Sequence, residues 1–168
     1  MAASPRKRPK ASPINFRGHT KPGAAFTELV LETFRLNARL LAAGDQLTKK
    51  IGITSARWQV LAALRRAPAP ATVAAIARSM GLQRQSVQRT VDLLVAEGLA
   101  AFVDNPRHAR AKLAILTAKG SLVLKRSHPL QVDWANKTVQ GISADDIAFC
   151  SELMRALRRR LGDRSTVA

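Results

Sequence analysis

The chain has 168 residues, enough for one domain with a packed core and too few to require two. Hydrophobic residues make up 46% but aromatics only 4%, so the apolar mass is Ala and Leu and a mainly helical domain is expected. The formal net charge of +17 implies a polyanionic partner, and the lone cysteine, Cys150, excludes an internal disulfide or a multi-cysteine metal site.

Residues 1–22 carry Arg6, Lys7, Arg8, Lys10, Arg17 and Lys21 with no acid, broken by Pro5, Pro9, Pro13 and Pro22. This reads as a flexible basic arm, either tracking DNA or serving as a solubilising tail, with Ile14 and Phe16 as its only large apolar residues. The opening residues lack an apolar run of about 7–15 residues, so no secretory signal is read. No apolar stretch approaches the roughly 20 residues that span a bilayer. A cytoplasmic protein without a membrane partner is the expectation.

Residues 24–50 form a helix in which Phe26, Leu29, Val30, Phe34, Asn37, Leu40 and Leu41 recur at three- and four-residue steps. Leu36 lies off that stripe, which implies burial on more than one side. Gly52 closes the segment. Thr54 caps a second helix containing Trp58, Leu61 and Leu64, ended by Pro68 and Pro70. Trp58 has two readings: a core aromatic joining this helix to the first, or the wall of a small-molecule pocket.

Residues 72–117 organise the rest. Thr72 caps a short helix with Val73, Ile76 and Ala77 inward, and Met80-Gly81-Leu82 turns the chain. A second helix from about Gln83 to Glu97 buries Val87, Val91, Leu94 and Val95. Strands at 100–104 and 111–116 then flank the loop Asn105-Pro106-Arg107-His108-Ala109-Arg110. Thr117 caps a helix over 118–140, which Pro129 should kink or split near His128. A last helix over 144–161 carries the stripe Ile147, Cys150, Leu153, Met154, Leu157 and Leu161. On that stripe Cys150 reads as a buried, inert thiol, with thiol sensing as the alternative.

The second helix of this unit leaves Gln83, Arg84, Gln85, Ser86, Gln88 and Arg89 outside. Arg pairs with guanine and Gln with adenine across base edges in the major groove, while Ser86 and the first amides suit phosphate. A plain solvated face would carry Glu and Lys pairs, which are missing here. On the hairpin, Arg107 and Arg110 can enter a minor groove, with Lys112 near a phosphate. Thr72, His108 and these residues make up the candidate DNA-binding set.

Thr54 to Leu61, Val73 to Leu82, Val87 to Leu99 and Leu113 to Gly120, in that spacing, resemble the MarR family of winged-helix transcriptional regulators over roughly residues 26–162. The wing departs from the family's pattern: His108 and Ala109 stand where Asp then Arg is usual, and Arg110 matches the wing arginine. The resemblance implies a winged helix-turn-helix at 54–117. Flanking helices at 23–53 and 118–162 would form a dimerisation region, leaving a flexible C-terminus at 163–168. It also implies a homodimer on a pseudo-palindromic operator, acting as a repressor released by a ligand. The expected pocket comprises Phe34, Leu36, Asn37, Arg39, Leu40, Trp58 and His128. Its aromatic and cationic members point to an aromatic carboxylate or an acyl-CoA thioester.

Against an enzyme stand only three histidines (His19, His108 and His128), none in HExxH, and no Gly-rich phosphate loop or GxSxG elbow. No cofactor or metal is expected. A non-specific architectural DNA binder without effector is the other alternative.

Overall fold

In the computed structural model of the chain, the described residues are 17–108 and 110–162. The expectations for the arm before residue 17, for Ala109 and for residues 163–168 lie outside them. Thr20 opens the first helix, α1 (Lys21–Lys49), its Oγ1 accepting from the Gly23 amide at 3.2 Å. The helix starts earlier than expected because Pro22 sits in its first turn. There no intrahelical partner is lost and the fixed φ already suits a helix.

Two approaches fasten α1 to α2 (Ser55–Arg66). Asp45 Oδ1 accepts from the Ser55 amide at 2.9 Å. A Cβ on Gly44 would stand 2.4 Å from Ser55 Oγ, so only glycine permits this contact as it stands. Thr54 caps α2 as expected, through the Arg57 amide.

The core lies where α2, α3 (Val73–Met80), α4 (Arg84–Ala96) and a small sheet meet. Leu61, Val91 and Leu94 are wholly inaccessible, and Val60, Ile76, Ala77 and Val87 nearly so. Burial of each such leucine stabilises by about 1.5–3 kcal/mol. Between α3 and α4, Gly81 takes φ +66°, and the Leu82 amide returns to the Ala77 carbonyl at 3.0 Å. That left-handed residue sets the angle at which α4 leaves the turn.

Strands β2 (Ala100–Val103) and β3 (Leu113–Leu116) pair antiparallel, Ala100 opposite Leu116 and Val103 opposite Leu113. A strand absent from the sequence reading, β1 (Ala71–Thr72), pairs with the other edge of β3, giving the order β1-β3-β2. Two residues are too few to show alternation. Thr72 thus ends a strand and also caps α3, accepting from the Ala75 amide at 3.3 Å.

Helix α5 (Ala118–Thr138) begins at Thr117, whose Oγ1 accepts from Gly120 and donates to the Gly98 carbonyl. It runs through Pro129 and is not split near His128. Proline removes a single N–H here, and buried Leu124 and Ser127 hold the preceding turns in place. Helix α6 (Ala144–Gly162) has no buried residue. Its apolar stripe is open: Ile147, Leu153, Met154 and Leu161 are 38–58% exposed within the chain. Cys150 is likewise exposed, not buried as expected. The periodicity is there, but this chain alone supplies nothing to cover it. The same holds for Phe34 (67% exposed) and Leu36 (51%) on α1. Among the described residues no helix is long and apolar enough to cross a membrane.

Candidate nucleic-acid interface

Val87, Val91 and Leu94 fix the inward face of α4. The opposite side of its N-terminal half therefore presents Gln83, Arg84, Gln85, Ser86 and Arg89 to solvent, with Gln88 half-buried at the flank. Gln83 holds the N-cap position without a side-chain bond, so its amide is uncommitted to the helix. Gln88 is committed: its Nε2 donates to Asp92 Oδ1 at 2.8 Å.

The hairpin loop is held by Asn105. Its Nδ2 donates to the Ala111 carbonyl at 2.9 Å across the loop, and its Oδ1 accepts from the Arg107 amide at 3.0 Å. The His108 amide returns to the Asn105 carbonyl at 3.1 Å. A side-chain amide therefore organises the wing where a carboxylate–arginine pair is missing. The Asn at the head of the turn was the available signal, since Asn favours such self-capped turns. Arg107, His108, Arg110 and Lys112 are all exposed.

The hairpin and α4 share one concavity of about 320 Å³. Thr72, Arg84, Gln88, Phe102, Arg110 and Lys112 line it, with the first residues of α3. Among the described residues, Arg84, Arg89, Arg107, Arg110 and Lys112 have no carboxylate partner. Unpaired cations gathered on one side of a helix and hairpin repel one another and are stabilised by an external polyanion.

The far end of α4 is tied down by residues the sequence reading passed over. Arg57 Nη1 on α2 meets Glu97 Oε1 at 2.5 Å, and Lys119 Nζ donates to the Glu97 carbonyl at 2.8 Å. A Cβ on Gly120 would lie 2.1 Å from the Leu99 carbonyl oxygen, so the start of α5 packs backbone to backbone against the residues that follow α4. These contacts join residues 21 to 40 positions apart, and no local pattern announces them.

Trp58 lies between the core and a surface cavity. It packs against the core, and its Nε1 donates to Ser127 Oγ at 2.9 Å, which ties α2 to α5. Ser127 in turn donates to the Leu124 carbonyl at 2.8 Å. Beside this pair opens a cavity of about 600 Å³, lined by Trp58, Arg65, Arg66, Lys125, His128 and Gln131 among others. Of the expected ligand residues, the structure brings Trp58 and His128 together. Phe34, Leu36, Asn37, Arg39 and Leu40 stand exposed on α1 and do not line this cavity. Arg65 and Lys125 were missed, although Arg65 follows Trp58 by two helical turns and Lys125 precedes His128 by one. Among the described residues no group of three or more His, Cys, Asp or Glu could hold a metal ion.

Comparison with known proteins gives the arrangement a family. Residues 51–111 match the profile described as the MarR family. An uncharacterized protein of Mycobacterium tuberculosis, Rv2011c, is 38% identical over 97 residues, covering 58% of this chain and 66% of that protein. The chain thus spans just under two thirds of that relative's length. A mutant of E. coli MarR solved in complex with operator DNA superposes with a TM-score of 0.71, at 22% identity, over 79% of this chain and 95% of that one. Bordetella bronchiseptica BpsR, whose DNA binding is regulated by 6-hydroxynicotinic acid, gives 0.68 at 21% identity, over 78% and 98%. The family profile lies over the helix-turn-helix and wing, so residues 51–111 match the MarR family, and the winged helix-turn-helix fold is shared across most of the chain.

Proposed function

We propose that the chain is a sequence-specific DNA-binding regulator that works as a homodimer, represses transcription from a pseudo-palindromic operator and is released by a small anionic ligand. One observation carries this reading: the cations of α4 and the wing lie around one concavity or beside it, and among the described residues none of them is paired with an acid. Gln83, Gln85 and Gln88 between them supply base-reading amides. The candidate domain division, with 54–117 as reading head and the flanking helices as dimer clamp, follows from what is left uncovered. Large apolar residues on α1 and α6 are open within one chain, and a second copy would bury them. Two reading heads would then address half-sites about one helical turn apart.

The α2–α5 cavity is the proposed effector site. Its aromatic wall and surrounding cations match an aromatic carboxylate, and the regulation of BpsR by 6-hydroxynicotinic acid supports that class. Its volume is that of a small-molecule site. Ligand wedged beside Trp58 would shift α2, whose neighbouring Arg57 holds Glu97 at the end of α4. The spacing of the two heads would change accordingly.

The test is fluorescence anisotropy with the full chain at fixed salt, comparing DNA from upstream of its own gene with random DNA. A specific regulator prefers its site by on the order of 10³-fold or more. A ratio near one makes the chain a non-specific DNA binder.

A further inference from the structure

We infer that Asp92 is a positioning residue that holds the Gln88 amide ready to read adenine, making the pair a determinant of operator specificity. The inference rests on the operator-binding reading above. The observation is the 2.8 Å bond from Gln88 Nε2 to Asp92 Oδ1, one helical turn along α4. An ionised carboxylate only accepts, so this contact fixes which end of the Gln88 amide is which: NH₂ toward Asp92, Oε1 away from it. One of the two Nε2 hydrogens is used. The other, together with Oε1, is the donor–acceptor pair that adenine N7 and N6 require. Guanine would set its O6 acceptor against Oε1, and thymine its O4.

The location fits that role. Gln88 is half-buried on the flank of α4 that faces the wing, in the same concavity as Arg84, Arg110 and Lys112. Its packing leaves it fewer conformations than the exposed Gln83 and Gln85. Asp92 is exposed, and it is the sole acid on α4. A carboxylate beside the unpaired cations of this face opposes phosphate at every DNA sequence. Its presence there therefore weakens general affinity while sharpening one base preference.

That opposition gives the test a readout that a purely helix-stabilising role would not move. The full chain, Gln88→Ala and Asp92→Ala are each put through selection from a randomised duplex pool, with affinity for random DNA measured in parallel at fixed salt. Circular dichroism confirms the helical content of each variant. The natural chain is expected to enrich adenine at one position in each half-site. Gln88→Ala lowers discrimination at that position roughly 5- to 100-fold and leaves the other positions unchanged. Asp92→Ala lowers it too, because the freed amide can flip, while affinity for random DNA rises. Adenine preference in Asp92→Ala equal to that of the natural chain, or no rise in general affinity, overturns the inference while the regulator reading stands. Loss of preference at every position in Gln88→Ala also overturns it. A natural chain that enriches no motif overturns the operator reading, and this inference with it.

Discussion

Trp58→Phe isolates the clasp between α2 and α5. The substitution keeps an aromatic ring and deletes the N–H that donates to Ser127 Oγ at 2.9 Å. Ser127 is 2% exposed and still donates to the Leu124 carbonyl, so it loses an acceptor role and keeps a donor role. A neutral hydrogen bond contributes about 0.5–1.5 kcal/mol net, and the smaller ring gives up some contact, so the expected loss is about 1–2 kcal/mol. For a chain of this length that corresponds to a fall in Tm of about 2–8 °C. Urea unfolding at constant protein concentration measures it, followed by circular dichroism because the substitution removes one of the two tryptophans. Ser127→Ala and the double variant complete a cycle whose coupling should be about 0.5–1.5 kcal/mol. Coupling below about 0.3 kcal/mol would mean that the two residues act independently and that the clasp contributes nothing.

Other substitutions probe the rest of the account. Gly120→Ala forces a Cβ against the Leu99 carbonyl and should destabilise by about 1–3 kcal/mol or more in the same unfolding assay. Gly44→Ala meets the rotatable Ser55 hydroxyl and should lose less; the reverse order would contradict the close approach at α5. Leu153→Glu on the open face of α6 should lower the mass measured by light scattering from dimer to monomer, and an unchanged mass would place the dimer contact elsewhere. Salicylate, as a probe of the α2–α5 cavity, should raise the Tm of the natural chain and raise that of Lys125→Ala less. Equal shifts in the two would remove Lys125 from the site.

Helix caps and buried stripes were legible in the sequence because both are local. Thr54, Thr72 and Thr117 each cap the helix expected of them, and Val87, Val91 and Leu94 face inward at helical spacing. What escaped depends on contacts distant in the chain. β1 is a strand only because Ala71 meets Ala114, and Gly44 and Gly120 matter only because Ser55 and Leu99 approach them. Pro129 was expected to kink or split its helix; the helix is not split, because tertiary packing of the preceding turns carries it through. The expected pocket mixed α1 residues with Trp58 and His128, since periodicity marks which faces are apolar and not which helices enclose a cavity. Exposure of Cys150 has a related cause: a stripe that a single chain leaves open reads in sequence like one that it buries.

DNA binding as proposed requires the unpaired cations of α4 and the wing to meet DNA phosphates. The salt dependence of binding to the upstream DNA tests this most directly, comparing the natural chain with Arg110→Ala/Lys112→Ala. Each lost phosphate contact should reduce the slope of log K against log salt by about one, so two positions in each of two protomers should reduce it by about four. A slope equal to that of the natural chain would contradict the account, because the wing cations would then not be facing the DNA.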